Sequence, residues 1–268
     1  MLHFIKLGGS LITDKNRPLT PRPLVIQRLA DEIAAAARVH PERQYILSHG
    51  SGSYGHVVGK RYRTREGVAD AAGWRGFAET GHIAAQLNRL VVAALLRSGL
   101  PAISFPPSAL ATCRDGDIVA LHADPIMKAL ANGLTPVVYG DVAFDETRGG
   151  VIVSTEQVLT ALVPDLQPER LTLVGLVDGI FDADPMRDAG AERIPHLTVD
   201  QLPELASAFG ASHGIDVTGG MMNKITHMAM LLDQHPQLRI HLLSGEIPGR
   251  LQKHLLDPAS PLGTTMTA

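Results

Sequence analysis

Two lysines bracket a pair of glycines near the start of the chain: Lys6-Leu7-Gly8-Gly9-Ser10 follows an apolar run, and Lys15 comes soon after. Glycines leave backbone N–H groups open toward an anion, and flanking ammonium groups add positive charge. That combination is phosphate chemistry. The spacing matches neither G-x-G-x-x-G nor G-x-x-x-x-G-K-[ST], so the two commonest nucleotide loops are excluded.

A second loop, His49-Gly50-Ser51-Gly52-Ser53-Tyr54-Gly55-His56, repeats the theme. Its glycine N–H groups would hold phosphate oxygens, and its serine hydroxyls adapt to fill the remaining sites. The second half offers Val177-Asp178-Gly179-Ile180-Phe181-Asp182-Ala183-Asp184-Pro185 and then Asp216-Val217-Thr218-Gly219-Gly220-Met221-Met222-Asn223-Lys224. Asp182 and Asp184 lack the twelve-residue frame and terminal Glu of a calcium loop, which makes a turn the better reading. The histidines include no H-E-x-x-H or comparable cluster, so no protein-built metal site is expected.

Strands alternating with helices must position these loops. Apolar runs of strand length fall at His3–Leu7, Tyr45–Ser48, Ala102–Phe105, Thr135–Tyr139, Leu171–Val177 and Arg239–Leu243. Helical patterns occupy Pro23–Val39, Ala78–Arg97, Ala123–Ala131, Thr155–Leu162, Val199–Phe209, Gly220–Gln234 and Gly249–Leu256. The alternation predicts an α/β protein with a central, mostly parallel open sheet covered on both faces, a three-layer α/β/α sandwich. In such sheets ligands sit beyond the carboxyl ends of the strands. Five loops, at Gly8-Gly9-Ser10, Gly50–Ser53, Gly140-Asp141, Asp178-Gly179 and Gly219-Gly220, are therefore expected to converge on one edge. Asp145–Gly150 reads as a hairpin turn whose flanking runs extend the sheet in antiparallel fashion.

Composition narrows the function classes. The 268 residues are 45% apolar and 19% charged, enough for a sizeable core in a single domain. A formal charge of −3 gives no electrostatic case for nucleic acid or an anionic membrane as partner. Cys113 is the only cysteine, which excludes an internal disulfide. With no signal-peptide pattern and no apolar run of spanning length, a cytoplasmic protein is expected.

Taken in order, Lys6–Ser10, Gly50–His56, Asp178–Pro185 and Gly219–Lys224 resemble the motifs of the amino-acid kinase superfamily, and the resemblance runs from about Phe4 to Ser244. Within it, Gly52-Ser53-Tyr54-Gly55-His56 is similar to the branch that contains isopentenyl phosphate kinase and the related fosfomycin kinase. The resemblance implies MgATP-dependent phosphorylation of isopentenyl phosphate to isopentenyl diphosphate, with a phosphonate antibiotic kinase or a non-catalytic nucleotide-binding regulator as the alternatives. It also implies an acceptor-binding lobe over about residues 1–165, a nucleotide lobe over about 166–268, and a homodimer.

The roles it implies are specific. Lys6, Leu7, Gly8, Gly9, Ser10, Gly52, Asp178, Gly220 and Lys224 would hold ATP; Lys6 and Lys15 would stabilise the phosphoryl group in flight. Ser51, His56 and Thr155 would face the acceptor, with His56 binding its phosphate, and Ile83 and Leu87 would border its tail. Phosphoryl transfer runs mainly on alignment and positive charge, and a phosphate acceptor is already ionised near neutral pH, so no general base is needed. Mg²⁺ would bridge the β- and γ-phosphates. One segment departs from the family pattern: Ser154-Thr155-Glu156-Gln157 stands where S-G-D-[DE] is usual.

Overall fold

The computed structural model describes residues 1–55, 62, 64, 66–183, 185, 188, 190–205 and 217–268, with the side chains of 217–224 left aside. His56 lies outside the described residues, as does the second half of the helix expected over Val199–Phe209.

The first half of the chain runs β1 (Leu2–Leu7), α1 (Gly9–Ile12), α2 (Pro23–Val39), β2 (Gln44–His49), α3 (Ala71–Arg97), β3 (Ala102–Ser104), α4 (Pro107–Leu110), β4 (Ala111–Arg114), β5 (Asp117–Leu121) and α5 (Asp124–Ala131). It continues through β6 (Thr135–Tyr139), β7 (Asp141–Asp145), β8 (Gly149–Val153) and α6 (Thr155–Leu166). The second half adds β9 (Arg170–Gly175), β10 (Ile180–Phe181), β11 (Arg193–Ile194), β12 (His196–Thr198), α7 (Val217–Gln234), β13 (Arg239–Ser244), α8 (Arg250–Leu256) and β14 (Thr264–Thr267).

The main sheet has eight strands in the order β12-β14-β13-β9-β1-β2-β6-β3. Every pair from β13 across to β3 is parallel, and the antiparallel pairing is that of β13 with β14. Period-two alternation sends successive residues of β1 to opposite faces. Phe4 accordingly joins one core with Ile46, Leu171 and Ile225 of α7, while Ile5 joins a second core with Leu29 of α2, Leu87 of α3 and Leu251 of α8. Two cores on two faces make the three-layer sandwich that the strand–helix alternation predicts.

The hairpin turn at Asp145–Gly150 is present, but its strands do not extend the main sheet. They form a separate four-stranded sheet, β5-β4-β7-β8. The β4–β5 hairpin turns at Asp115 and Gly116, both with positive φ (54° and 92°), a D-G signal that the sequence reading passed over. Trp74 and Phe77 of α3 pack against Phe144 of β7, with ring centroids 5.2–6.0 Å apart, and tie this small sheet to the body.

Helix α3 begins at Ala71 rather than Ala78. Gly73 and Gly76 weaken the helical pattern there, but Asp70 caps the first turn by accepting from the Gly73 N–H at 2.7 Å. Gly76 is required by contact: a Cβ on it would lie 2.2 Å from the Tyr62 ring. Pro164, near which a lobe boundary could be drawn, lies inside α6 instead of in a linker.

Candidate functional site

Parallel strands deliver the residues that follow them to one edge of the sheet. Gly8 follows β1, Gly50 follows β2, Gly140 follows β6, Leu176 follows β9 and Gly245 follows β13, so four of the five expected loops share that edge. Gly219 and Gly220 lie inside α7, where the preceding residues 206–216 are outside the described residues.

The first two loops touch backbone to backbone. A Cβ at Gly9 would sit 2.3 Å from the Gly52 nitrogen, and one at Gly50 would sit 2.8 Å from the Gly9 nitrogen. Gly52 also has a positive φ of 50°. Neither loop tolerates a side chain at this seam, which is the physical reason for glycine in both. The Gly8 N–H donates to Val174 O of β9 at 2.8 Å and the Gly50 N–H to Leu7 O of β1 at 2.9 Å, which anchors each loop to the strand beside its own. Gly9 and Ser10 open the short α1, so their N–H groups precede its first hydrogen-bonded turn.

Lys6 arrives at this seam from inside β1. It is only 8% exposed, and its ammonium pairs with the Glu156 carboxylate at the start of α6. Helix α6 starts where it does because Ser154 and Gln157 form a capping box: the Gln157 N–H donates to Ser154 Oγ at 3.1 Å, and the Ser154 N–H donates to Gln157 Oε1 at 2.9 Å. The segment that departs from the family pattern is thus an ordered helix start that aims Glu156 at Lys6. The motif alone shows the departure but not this partner, which lies 150 residues away in the chain. Thr155 is buried, and its hydroxyl donates to the His49 carbonyl at 2.8 Å, so it braces the second loop from beneath.

Lys15 stands on an exposed turn whose base is fastened to both loops. Thr13 donates its hydroxyl to Gly9 O at 2.7 Å and accepts from the Ser53 N–H at 2.9 Å. The Thr20 N–H donates to Ser53 Oγ at 3.2 Å, and the Asp14 N–H donates to Thr20 O at 2.9 Å. Ser53 thereby ties the Lys15 turn to the second loop.

Asp178 links two neighbouring strand exits: Oδ1 accepts from the Ser244 N–H at 3.1 Å, and Oδ2 pairs with Arg250 at 2.5 Å at the start of α8. Leu87 is fully buried with Ile5, Leu7 and Val91, which gives it a core role in place of the acceptor-tail border expected of it, while Ile83 is partly buried at the edge of the same core. Lys224 lies in α7, and its side chain is outside the described residues.

The edge therefore presents two glycine loops in contact, a buried lysine beneath them and an exposed lysine above. Such an arrangement has the chemistry of a phosphotransferase site, with backbone N–H groups and positive charge suited to polyanionic phosphates. The chain belongs to the amino acid kinase family, whose model matches residues 1–242. It is 33% identical over 260 residues to isopentenyl phosphate kinase from Methanothermobacter thermautotrophicus, covering 94% of each chain. It is 29% identical over 232 residues to isopentenyl phosphate kinase from Methanocaldococcus jannaschii, covering 84% of this chain and 85% of that one. A crystal structure of an isopentenyl phosphate kinase superposes over 100% of both chains with a TM-score of 0.82 at 28% identity.

Proposed function

We propose that this protein uses MgATP to phosphorylate isopentenyl phosphate, giving isopentenyl diphosphate and ADP. The observation that carries the reading is the Gly9–Gly52 seam with Lys6 at its base, an anion cradle shared by two loops. Two phosphate-bearing substrates need such a shared floor, since their reacting oxygens must be held together. The relatives named as isopentenyl phosphate kinases, matched over nearly the whole chain, support this acceptor.

ATP would lie over Gly8, Gly9, Ser10 and Gly52 toward Asp178 and α7, and the acceptor over Ser51 toward His56. Apart from those glycine-loop contacts, residues 1–165 would carry the acceptor and 166–268 the nucleotide. Among the described residues no group of three His, Cys, Asp or Glu side chains could hold a metal ion. Mg²⁺ carried on the nucleotide phosphates needs no such set and suits a cradle of lysines and glycine N–H groups. When bound, it supplies charge neutralisation between the β- and γ-phosphates.

Steady-state ADP release with isopentenyl phosphate, fosfomycin and other small phosphates tests the reading. Isopentenyl phosphate should give the highest kcat/KM, and EDTA should abolish turnover until excess Mg²⁺ is restored. Preferred turnover of fosfomycin would identify the phosphonate kinase instead, and nucleotide binding without turnover would identify a regulator. We also propose a cytoplasmic homodimer. Leu90 and Leu96 on α3 and Ile103 on the edge strand β3 expose apolar surface, which supports association, and sedimentation velocity measures it. No described helix is long and apolar enough to cross a membrane.

A further inference from the structure

Beneath the second loop lies a buried polar chain that phosphoryl transfer itself does not use. His49 ends β2, and its ring is sealed between neighbouring elements at 1% exposure. It stacks on Tyr139 with ring centroids 5.4 Å apart and planes 2° from parallel. Its Nδ1 is 3.2 Å from the carbonyl of Gly50, the first residue of the second loop. Its Nε2 is 3.1 Å from Asn88 Oδ1 in α3, and Asn88 Nδ2 is 2.5 Å from Ser104 Oγ.

Proton counting gives this chain a direction. Burial disfavours the charged ring, so His49 carries one N–H. A carbonyl only accepts; the Gly50 oxygen facing Nδ1 is satisfied only when that proton is on Nδ1. Nε2 is then an acceptor, which the Asn88 amide meets by turning end over end, so that its NH₂ group stands where Oδ1 is placed. The oxygen and nitrogen of an amide are set by such networks. Ser104 donates to the freed amide oxygen. His49, Asn88 and Ser104 then each have a partner, which a buried polar chain requires.

We propose that His49 is a positioning residue: its Nδ1–H holds the Gly50 carbonyl and so sets the Gly50-Ser51 backbone for the acceptor phosphate, while Asn88 locks the ring from the far side. The proposal rests on reading that loop as the acceptor-phosphate loop. It differs from a role in packing because it depends on one ring nitrogen. The Gly50 N–H is already held by Leu7 O, so the carbonyl is the part of that residue which the ring controls.

His49→Asn places an amide N–H near the position of Nδ1, whereas His49→Gln places one near Nε2. Acceptor KM at saturating MgATP and ATP Kd without acceptor are measured for the full chain and both variants. His49→Gln should raise the acceptor KM about tenfold, the loss of one hydrogen bond. His49→Asn should stay within about twofold of wild type, and ATP Kd should be unchanged in both. Equal acceptor KM in the two variants overturns the proposal, whether both are normal or both raised, and so does a parallel loss of ATP affinity. If His49→Gln does not fold, Asn88→Ala tests the same chain: a raised acceptor KM with normal ATP Kd supports it, and an unchanged acceptor KM overturns it. Wild-type turnover of isopentenyl phosphate is measured first. If it is absent, the comparison is run on whichever phosphate or phosphonate is turned over fastest, or on inorganic phosphate affinity if none is, so failure of the acceptor assignment remains distinct from failure of the positioning role.

Discussion

Lys6 and Glu156 meet across 150 positions of sequence, one from the end of β1 and the other from the first turn of α6, and their ion pair lies under the seam between the two glycine loops. A buried ammonium without its carboxylate is costly, on the order of 3 kcal/mol, so the pair holds the charge needed for transfer and keeps it tolerable when the site is empty. Glu156→Gln should lower kcat about tenfold or more and reduce stability in urea by a comparable free energy. Glu156→Asp, with charge kept but reach shortened, should fall between that variant and wild type. An unchanged kcat in Glu156→Gln would mean that Lys6 does not need this partner.

Lys15 differs because it is exposed and its turn is held by Thr13, Thr20 and Ser53 rather than by its own side chain. Lys15→Ala should therefore leave the melting temperature within about 1 °C while reducing kcat by about 10²-fold, the usual loss for one transition-state donor. Calorimetric ATP binding should persist. A variant that kept full turnover would place Lys15 outside the transfer track.

Gly9→Ala tests the seam. Its Cβ would meet the Gly52 nitrogen at 2.3 Å, so the two loops must separate by about 1 Å to admit it. Such a displacement of reacting groups costs about 10²-fold in rate. The far-ultraviolet circular dichroism should be unchanged and kcat/KM should fall by about that factor. Near-normal turnover would show that the loops need not touch.

A histidine cluster at the other end of the sheet predicts acid sensitivity. His3 Nε2 is 2.7 Å from Thr172 Oγ1, which is 3.2 Å from His254 Nε2, and the His241 and His254 rings are 4.6 Å apart. Burial, helped by neighbouring rings and Arg170, holds His241 down at about 3 and His254 at about 4, and His3 well below its ordinary value. The Arg170 guanidinium also donates to His241 Nε2 at 3.1 Å, a bond that only the neutral ring accepts. Above the ordinary value of 6.5 both folded and unfolded rings are neutral. Below it the unfolded chain takes up protons that the fold refuses, so stability falls as pH drops from 6.5 toward 4 and 3. The loss should reach about 2 kcal/mol per histidine at pH 5. Melting curves at pH 7 and pH 5 should diverge for wild type and less so for His241→Gln; equal divergence would exclude His241 as a source.

Features governed by local rules were readable in the sequence. Apolar runs of four to seven residues between helical patterns mark the parallel strands, and glycines after three of them mark the loops, because strand period and turn geometry depend on near neighbours. The capping box at Ser154 and Gln157 and the D-G turn at Asp115-Gly116 were equally local and were missed, although both carry standard signals. The start of α3 was misplaced because glycine propensity argued against a helix that Asp70 and Tyr62 impose.

By itself the sequence determined the alternating α/β architecture, the order of the glycine loops and the supply of lysines, since each depends on residues close together in the chain. Only the tertiary structure decided that Glu156 serves Lys6, that Gly9 lies on Gly52, that Asn88 locks His49 and that the hairpin after β6 builds its own sheet. Those relationships follow from the strand order β9-β1-β2-β6, which brings distant segments side by side. Many pairings can bury the same apolar runs, so local pattern leaves that order open until the whole core is packed.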